Sequence, residues 1–115
     1  RMHRQGINPD NVKPDDILCD YCGTPAWAKD TPCVEGHQGS IICGKCLTVA
    51  FELVVNQRLR VETEDQCRMC LEHRDENGWQ GAFEPSATIC VRCVKQASGA
   101  LNKSKHWDWV KPSDS

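Results

Sequence analysis

Eight of the nine cysteines stand in four Cys-x-x-Cys pairs, and this pattern constrains the fold more than any other feature. The pairs are Cys19/Cys22, Cys43/Cys46, Cys67/Cys70 and Cys90/Cys93. Twenty residues separate the inner cysteines of the first two pairs, and nineteen separate those of the last two. An internal repeat of this kind predicts two copies of one small unit in tandem.

The size of each copy indicates why the cysteines are there. The chain has 115 residues, so each copy is short, and units below about 40–50 residues usually need a metal ion, disulfides or oligomerisation to hold together. Zn²⁺ binds four thiolates tetrahedrally, and each Cys-x-x-Cys pair supplies two of them. We therefore predict two Zn²⁺ per chain in two closed four-cysteine sites. The first site takes Cys19, Cys22, Cys43 and Cys46, and the second takes Cys67, Cys70, Cys90 and Cys93.

Three alternatives stay open for the paired cysteines. In a cross-braced arrangement, pairs one and three would share one ion, although each repeat is complete by itself. Disulfides are disfavoured by the odd cysteine count and by the very small loop that a bridge within a pair would close. Iron also fits four thiolates, but rubredoxin-like carriers usually have glycine after the second cysteine of both pairs, and here glycine follows only Cys22.

Three further residues are candidate ligands by type. Cys33 and His37 lie between the first two pairs, and His73 lies three residues after Cys70. Because four paired cysteines complete each site, we interpret Cys33 as a free or half-buried thiol and the two histidines as surface imidazoles.

The repeat divides the chain into four segments. Residues 1–18 form an arm with a short helical turn over 12–18, residues 19–61 and 62–102 form the two zinc modules, and residues 103–115 form a tail. Each module is expected to contain a cysteine knuckle, a short hairpin and a helix, which is a small metal-stabilised α+β fold. The first helix is predicted over 47–59 from apolar residues at helical spacing, and the second is weaker, with Gly99 interrupting it.

Shorter apolar features fit the same plan. The residues just before the second and fourth cysteine pairs are predicted to form short strands, and the aromatic residues of the loops are candidate anchors. The predicted strands are Ile41–Ile42 and Thr88–Ile89, and the predicted anchors are Trp27, Trp79 and Phe83.

Charge and motifs limit the function classes. The formal net charge is −2, and two Zn²⁺ on eight thiolates take it to about −6, which disfavours nucleic acid because a basic surface supplies most of that affinity. No paired catalytic carboxylates, nucleophile–base motif or open metal position is found, so we expect no enzyme activity. No apolar stretch approaches the ~18 residues of a membrane span, and reduced thiols favour the cytoplasm.

The first module resembles the N-terminal C4 zinc-binding domain of the ClpX unfoldase family. The resemblance rests on Cys19-Asp-Tyr-Cys-Gly23 and on Ile41-Ile42-Cys43-Gly-Lys-Cys46-Leu47 before an amphipathic helix; residues 67–70 and 89–94 match more loosely. It covers about 35 residues per copy and implies a treble clef that dimerises and docks adaptors and substrates. No Walker-type loop is found, so it does not imply the ATPase activity of that family.

Three functions follow as expectations. The first is a protein–protein interaction module that binds another protein or itself, with Val55 and Leu59 as a docking face and Trp107 and Trp109 either anchoring a partner or packing on the core. The second is nucleic-acid binding, with those tryptophans as stacking surfaces. Its basic contacts would be Arg92, Lys95, Lys103 and Lys105. The third, thiol redox chemistry through Cys-x-x-Cys, lacks its usual βαβ context.

Overall fold

A computed structural model describes residues 2–3, 17–25, 32–60, 66–72, 77–83, 87–104, 109 and 112. Within them the fold is a small α+β arrangement of three two-stranded antiparallel sheets and two helices. The strands are β1 (Met2–His3), β2 (Ile17–Leu18), β3 (Cys33–Glu35), β4 (Ile41–Cys43), β5 (Gly78–Gln80) and β6 (Thr88–Cys90). The helices are α1 (Gly44–Ala50) and α2 (Val91–Lys103).

Each module has one hairpin followed directly by one helix. In the first module β3 pairs with β4 so that Val34 lies opposite Ile42, and in the second β5 pairs with β6 so that Trp79 lies opposite Ile89. Each second strand ends on a cysteine that is also the N-cap of the following helix. The hairpin and helix predicted for each module are therefore present.

The first helix departs from the predicted span. It begins at Gly44, before the apolar run, and its α-helical part ends at Ala50. Residues Phe51–Asn56 continue it as a π-helix, and the N–H of Gln57 donates to the carbonyl of Glu52, five residues earlier. The wider turn is compatible with the packing of this segment on α2, which a sequence period of 3.6 residues does not predict.

The second helix is longer and more regular than its sequence indicates. It runs through Gly99 without interruption, and a Cβ built at Gly99 would have no neighbour within 4 Å. Glycine in an exposed helix interior costs only about 1 kcal/mol relative to alanine, which burial of Val94, Ala97 and Leu101 offsets.

The N-terminal segment contains a strand where the sequence indicated a helical turn. Ile17 and Leu18 are extended because they pair with His3 and Met2, respectively. Both are buried beside the first cysteine knuckle, as their apolar character predicts. The rest of the expected turn, 12–16, lies outside the described residues, as do Trp27, His73, Lys105 and Trp107.

The two modules dock on each other through reciprocal contacts. The knuckle of the first module lies on the hairpin of the second, where the hydroxyl of Tyr21 donates to the carbonyl of Thr88 at 2.9 Å. The knuckle of the second module lies on the hairpin of the first, where the N–H of His37 donates to the carbonyl of Met69 at 2.8 Å. Such reciprocity is typical of two similar units related by an approximate two-fold axis.

Two glycines permit this close approach. A Cβ on Gly36 would lie 2.7 Å from the carbonyl oxygen of Met69, and a Cβ on Gly81 would lie 2.4 Å from that of Tyr21. Gly36 and Gly81 stand at equivalent positions, one residue beyond the last paired residue of β3 and β5. The interface therefore uses the same position of each hairpin.

One hydrophobic core joins both modules. Its buried members come from both knuckles, both hairpins and both helices, and include Leu47, Val54, Ile89 and Val94. A small second cluster is formed by Ile17, Cys33 and Ile41. The main core therefore joins the two halves into one packed unit.

Candidate metal centres

The first cysteine cluster brings together the four sulfurs of Cys19, Cys22, Cys43 and Cys46, all within 4.8 Å of one another. The Sγ atoms of Cys22 and Cys43 are 3.7 Å apart, and those of Cys19 and Cys46 are 3.9 Å apart. The grouping is sequential and not cross-braced. No disulfide joins these cysteines.

The second cluster has the same composition and spacing. The sulfurs of Cys67, Cys70, Cys90 and Cys93 also lie within 4.8 Å of one another, and the Sγ atoms of Cys70 and Cys90 are 3.9 Å apart. In both clusters the second cysteine of the knuckle is the most exposed ligand, while the other three are buried. In each cluster, solvent therefore reaches mainly the second cysteine of the knuckle.

The distances suit a tetrahedral ion of zinc size. Zinc–thiolate bonds of about 2.3 Å place tetrahedral sulfurs about 3.8 Å apart; three of the sulfur pairs are 3.7–3.9 Å apart, and all pairs within a cluster lie within 4.8 Å. Disulfide sulfurs would be bonded at about 2.05 Å. The donor set and geometry therefore fit a tetrahedral metal ion in each cluster.

Two cysteines of each cluster lie at the N-terminal end of a helix. Cys43 and Cys90 are the N-caps of α1 and α2, with φ and ψ of −81° and 163° and of −83° and 163°. Cys46 and Cys93 lie in the first helical turns, where the helix dipole favours negative charge. Both positions place sulfur ligands at the N-terminal ends of the helices.

Backbone N–H groups complete the environment of each cluster. The N–H of Cys43 donates to the sulfur of Cys19 at 3.3 Å, and that of Cys90 donates to the sulfur of Cys67 at 3.4 Å. The N–H of Tyr21 also donates to the sulfur of Cys19. Donors of this kind favour the charged form of a thiol.

Hydrogen bonds between the sulfurs of a cluster shift the pKa values of the cysteines. Hydrogen bonds from the thiols of Cys19 and Cys46 lower the pKa of Cys43 to about 4, while hydrogen bonds to Cys19 and Cys43 raise the pKa of Cys46. In the second cluster, hydrogen bonds with Cys90 and Cys93 lower the pKa of Cys67. A metal ion would take the place of the thiol protons, so metal binding competes with acid.

The residue after each knuckle has a left-handed backbone. Gly23 has φ of 78° and Leu71 has φ of 62°, and in each knuckle this residue donates its N–H to the carbonyl of the first cysteine. Glycine adopts this conformation freely, whereas leucine does so under strain. The sequence predicted this freedom at Gly23 and offered no sign of it at Leu71.

Of the candidate extra ligands, the two that the structure describes, Cys33 and His37, do not join the clusters. Cys33 is buried in β3 opposite Cys43 but is not among the four grouped sulfurs. Burial, and then the charges of Cys43 and Cys19, raise the pKa of Cys33 to about 12, so it is a thiol at neutral pH. His37 is exposed.

The structure contains an ion pair between the two modules that the sequence analysis did not predict. Asp20 and Arg68 each follow the first cysteine of a knuckle, and Arg68 Nη1 lies 3.4 Å from Asp20 Oδ1. The other carboxylate oxygen of Asp20 accepts the N–H of Ile41 at 2.6 Å. Equivalent positions with opposite charge are the signal that could have indicated this contact.

Comparison with known proteins adds no relative: no protein-family model, curated protein or solved structure matches the chain. In the part of the chain that the structure describes, no helix has the length and apolar character needed to cross a membrane. The structure thus defines a small α+β protein with two candidate four-cysteine metal sites.

Proposed function

We propose that this chain is a non-catalytic two-zinc protein of tandem treble-clef type that binds another protein. The closed donor set of each cluster is the observation that carries the proposal. Four thiolates fill the tetrahedral positions of zinc, so no position remains for a substrate or an activated water. Zinc then acts on stability, because its binding free energy is largely folding free energy.

The treble-clef assignment is supported by the order of elements. A knuckle, a hairpin and a helix follow one another in each module, with the last ligand in the first helical turn. This order is the one implied by the resemblance to the ClpX zinc-binding domain. The thiolates would be kept reduced in a cytoplasmic compartment, which supports that location.

Protein binding is supported by the surface that remains after the two modules dock. Val49 on α1 is 45% exposed and Leu59 beyond the π-helical segment is 37% exposed. Val55, expected on the same face, is half-buried and packs against the core. Trp109 also packs inside the molecule, since its indole N–H lies 3.1 Å from the carbonyl of Gly44 and 2.9 Å from the hydroxyl of Thr48.

Nucleic-acid binding is the second candidate. Arg92, Lys95 and Lys103 are exposed on α2, but the chain carries a formal charge of −2. A basic surface supplies most of the affinity for a polyanion, so this charge supports the protein-binding proposal.

The test has two parts. Elemental analysis of protein purified without added metal is expected to give two zinc ions per chain; iron would point to electron transfer instead. The zinc-loaded protein is then immobilised and offered native lysate with and without nuclease. Specific partners that survive nuclease support the proposal, and retention of nucleic acid alone contradicts it. Sedimentation of the purified protein distinguishes a second copy as the partner.

A further inference from the structure

A groove of about 450 Å³ lies between the hairpin of the first module and helix α2 of the second. Val34, Met69, Ala97 and Ala100 line it with apolar surface, and the metal ligands Cys70 and Cys93 border it. Its volume falls within the roughly 300–1,000 Å³ of typical binding clefts. A second, smaller cavity shares Val34 and Ala100 and extends the groove toward the C-terminal end of α2.

The reciprocal docking of the modules creates an equivalent space in the other half of the molecule. Trp79 stands there at the position of Val34, since each lies opposite the residue before the third ligand of its site. Tyr21 stands at the position of Met69, two residues after the first ligand. The rings of Trp79 and Tyr21 stack with centroids 5.8 Å apart and planes 19° from parallel.

The equivalent residues explain why one space is filled and the other is open. Leu53 stands at the position of Ala100, seven residues after the last ligand of its site. At three equivalent positions the open groove therefore has the smaller or more flexible side chain. The hairpins that frame the two spaces pair in the same register, so the open groove corresponds to a site from which an aromatic side chain is missing.

We propose that this groove binds an aromatic side chain of a partner polypeptide, seated where Trp79 lies in the other half. The inference rests on the proposed protein-binding function and names its site. Aromatic side chains bury large areas and dominate interface energetics. The thioether of Met69 adds a favourable sulfur–aromatic contact of about 0.3–1.5 kcal/mol.

The charge around the groove defines the residues next to that aromatic side chain. Four thiolates and one Zn²⁺ leave a formal charge of about −2 on the second site, which borders the groove through Cys70 and Cys93. Glu35 is exposed at the rim, and none of the described lining residues is Lys or Arg. A partner segment with Lys or Arg beside its aromatic residue is therefore favoured over an acidic one.

Three capped tripeptides test the proposal on the zinc-loaded protein. N-acetyl-Lys-Trp-Lys-amide, the Glu-Trp-Glu analogue and the Lys-Ala-Lys analogue are titrated while amide resonances are followed by ¹H–¹⁵N NMR. We expect Lys-Trp-Lys to shift the amides of Met69, Ala97 and Ala100 with a Kd on the order of 1 mM. Glu-Trp-Glu should bind at least about fivefold more weakly, and Lys-Ala-Lys should show no saturable shift.

Variants test whether the peptide binds in the groove or elsewhere on the surface. Val34→Trp supplies the missing ring from within the chain, as Trp79 does in the other half, and should weaken Lys-Trp-Lys binding at least about tenfold. Gln57→Trp is the matched control, because it adds the same side chain at an exposed position and should leave binding unchanged. Ala100→Leu is a second blocking variant if Val34→Trp does not fold.

The proposal is overturned if the shifts map elsewhere, or if a folded blocking variant binds Lys-Trp-Lys as tightly as the parent chain. If the amide resonances of the groove change when the protein is diluted, the occupant is a second copy of the chain. If Trp107→Ala binds the peptide more tightly than the parent chain, the occupant is the C-terminal tail. Either result contradicts the proposal that a partner polypeptide occupies the groove. If lysate partners are retained equally by parent and blocked variant, the groove inference fails while the protein-binding function stands. If the parent retains no protein, the function itself fails.

Discussion

The two modules share a metal scaffold and differ at the positions around it. Both have a cysteine knuckle, an N-capping cysteine and a first-turn ligand with nearly identical backbone geometry. Yet Trp79 in one hairpin is matched by Val34 in the other, and Gly23 after one knuckle is matched by the strained Leu71 after the other. The metal-ligand cysteines give the two halves the same local fold. The residues around them determine which side chains each half presents on its surface.

The comparison also shows that the halves are energetically one unit. The hydrophobic core includes both helices, and each knuckle packs on the hairpin of the opposite module. Small units with a shared core are expected to unfold together.

The largest effect is expected from removing one metal ligand. Cys43→Ser and Cys90→Ser should each lose the metal of one site and, because the core is shared, unfold both modules. The structural zinc in such sites contributes on the order of 10–16 kcal/mol. Elemental analysis and thermal unfolding by circular dichroism measure the outcome. Independent melting of the unaltered module, with its metal retained, would contradict a shared folding unit.

Next come the interface glycines. Gly36→Ala and Gly81→Ala each force a Cβ into the backbone of the opposite knuckle and should lower the free energy of unfolding by about 1–3 kcal/mol. The effect should be larger at Gly81, where the contact is closer. Gly99→Ala is the matched control and should raise stability by about 0.5–1 kcal/mol. Denaturant titration at a fixed zinc concentration compares the three variants. If Gly36→Ala and Gly81→Ala changed the free energy of unfolding no differently from Gly99→Ala, that result would argue against reciprocal docking.

The ion pair between the knuckles gives a smaller and pH-dependent effect. Asp20→Ala should cost about 1–3 kcal/mol because the N–H of Ile41 loses its buried acceptor. Asp20→Asn should cost less, since burial raises the pKa of Asp20 even though the N–H of Ile41 and Arg68 oppose that rise.

The sign of the pH dependence follows from that raised pKa. Protonation of Asp20 favours the folded state below its unfolded pKa of 3.8, and this contribution is lost as pH rises through the higher folded value. The wild type should therefore gain stability relative to Asp20→Asn as pH falls through the raised folded pKa toward 3.8. Paired denaturant titrations with saturating zinc measure the difference, and a gap that widens in favour of the Asn variant would reverse the assignment.

The smallest effect is expected at Cys33, the one cysteine outside the two clusters. Cys33→Ala should keep two metal ions per chain and cost about 1 kcal/mol of buried contact, because the equivalent position in the second module is Gly78. Elemental analysis and denaturant titration check this. Loss of one ion per chain would show that Cys33 acts as a ligand.

Much of the fold could be predicted because metal ligands impose local rules. Cys-x-x-Cys spacing determines a knuckle, and a pair of such knuckles predicts one tetrahedral cluster. The short strands before Cys43 and Cys90 and the helices after them were also predicted. Each depends on residues within a few positions of a ligand, where local chemistry dominates.

Features that depend on distant residues were not predicted. The helical turn expected up to Leu18 is replaced there by a strand, because Met2–His3 supplies a pairing partner. The π-helical segment 51–56 depends on packing against α2, and periodicity does not distinguish it from α-helix. Leu71 adopts a left-handed backbone because the knuckle requires it, against its own preference.

By itself, the sequence determined two four-cysteine sets, their order along the chain and a hairpin and helix for each, because ligand spacing and local propensity act over short distances. Only the tertiary structure decided that the modules dock reciprocally, that Asp20 meets Arg68, and that the space filled by Trp79 in one half is open beside Val34 in the other. These depend on which surfaces meet, and packing between residues far apart in the chain settles that.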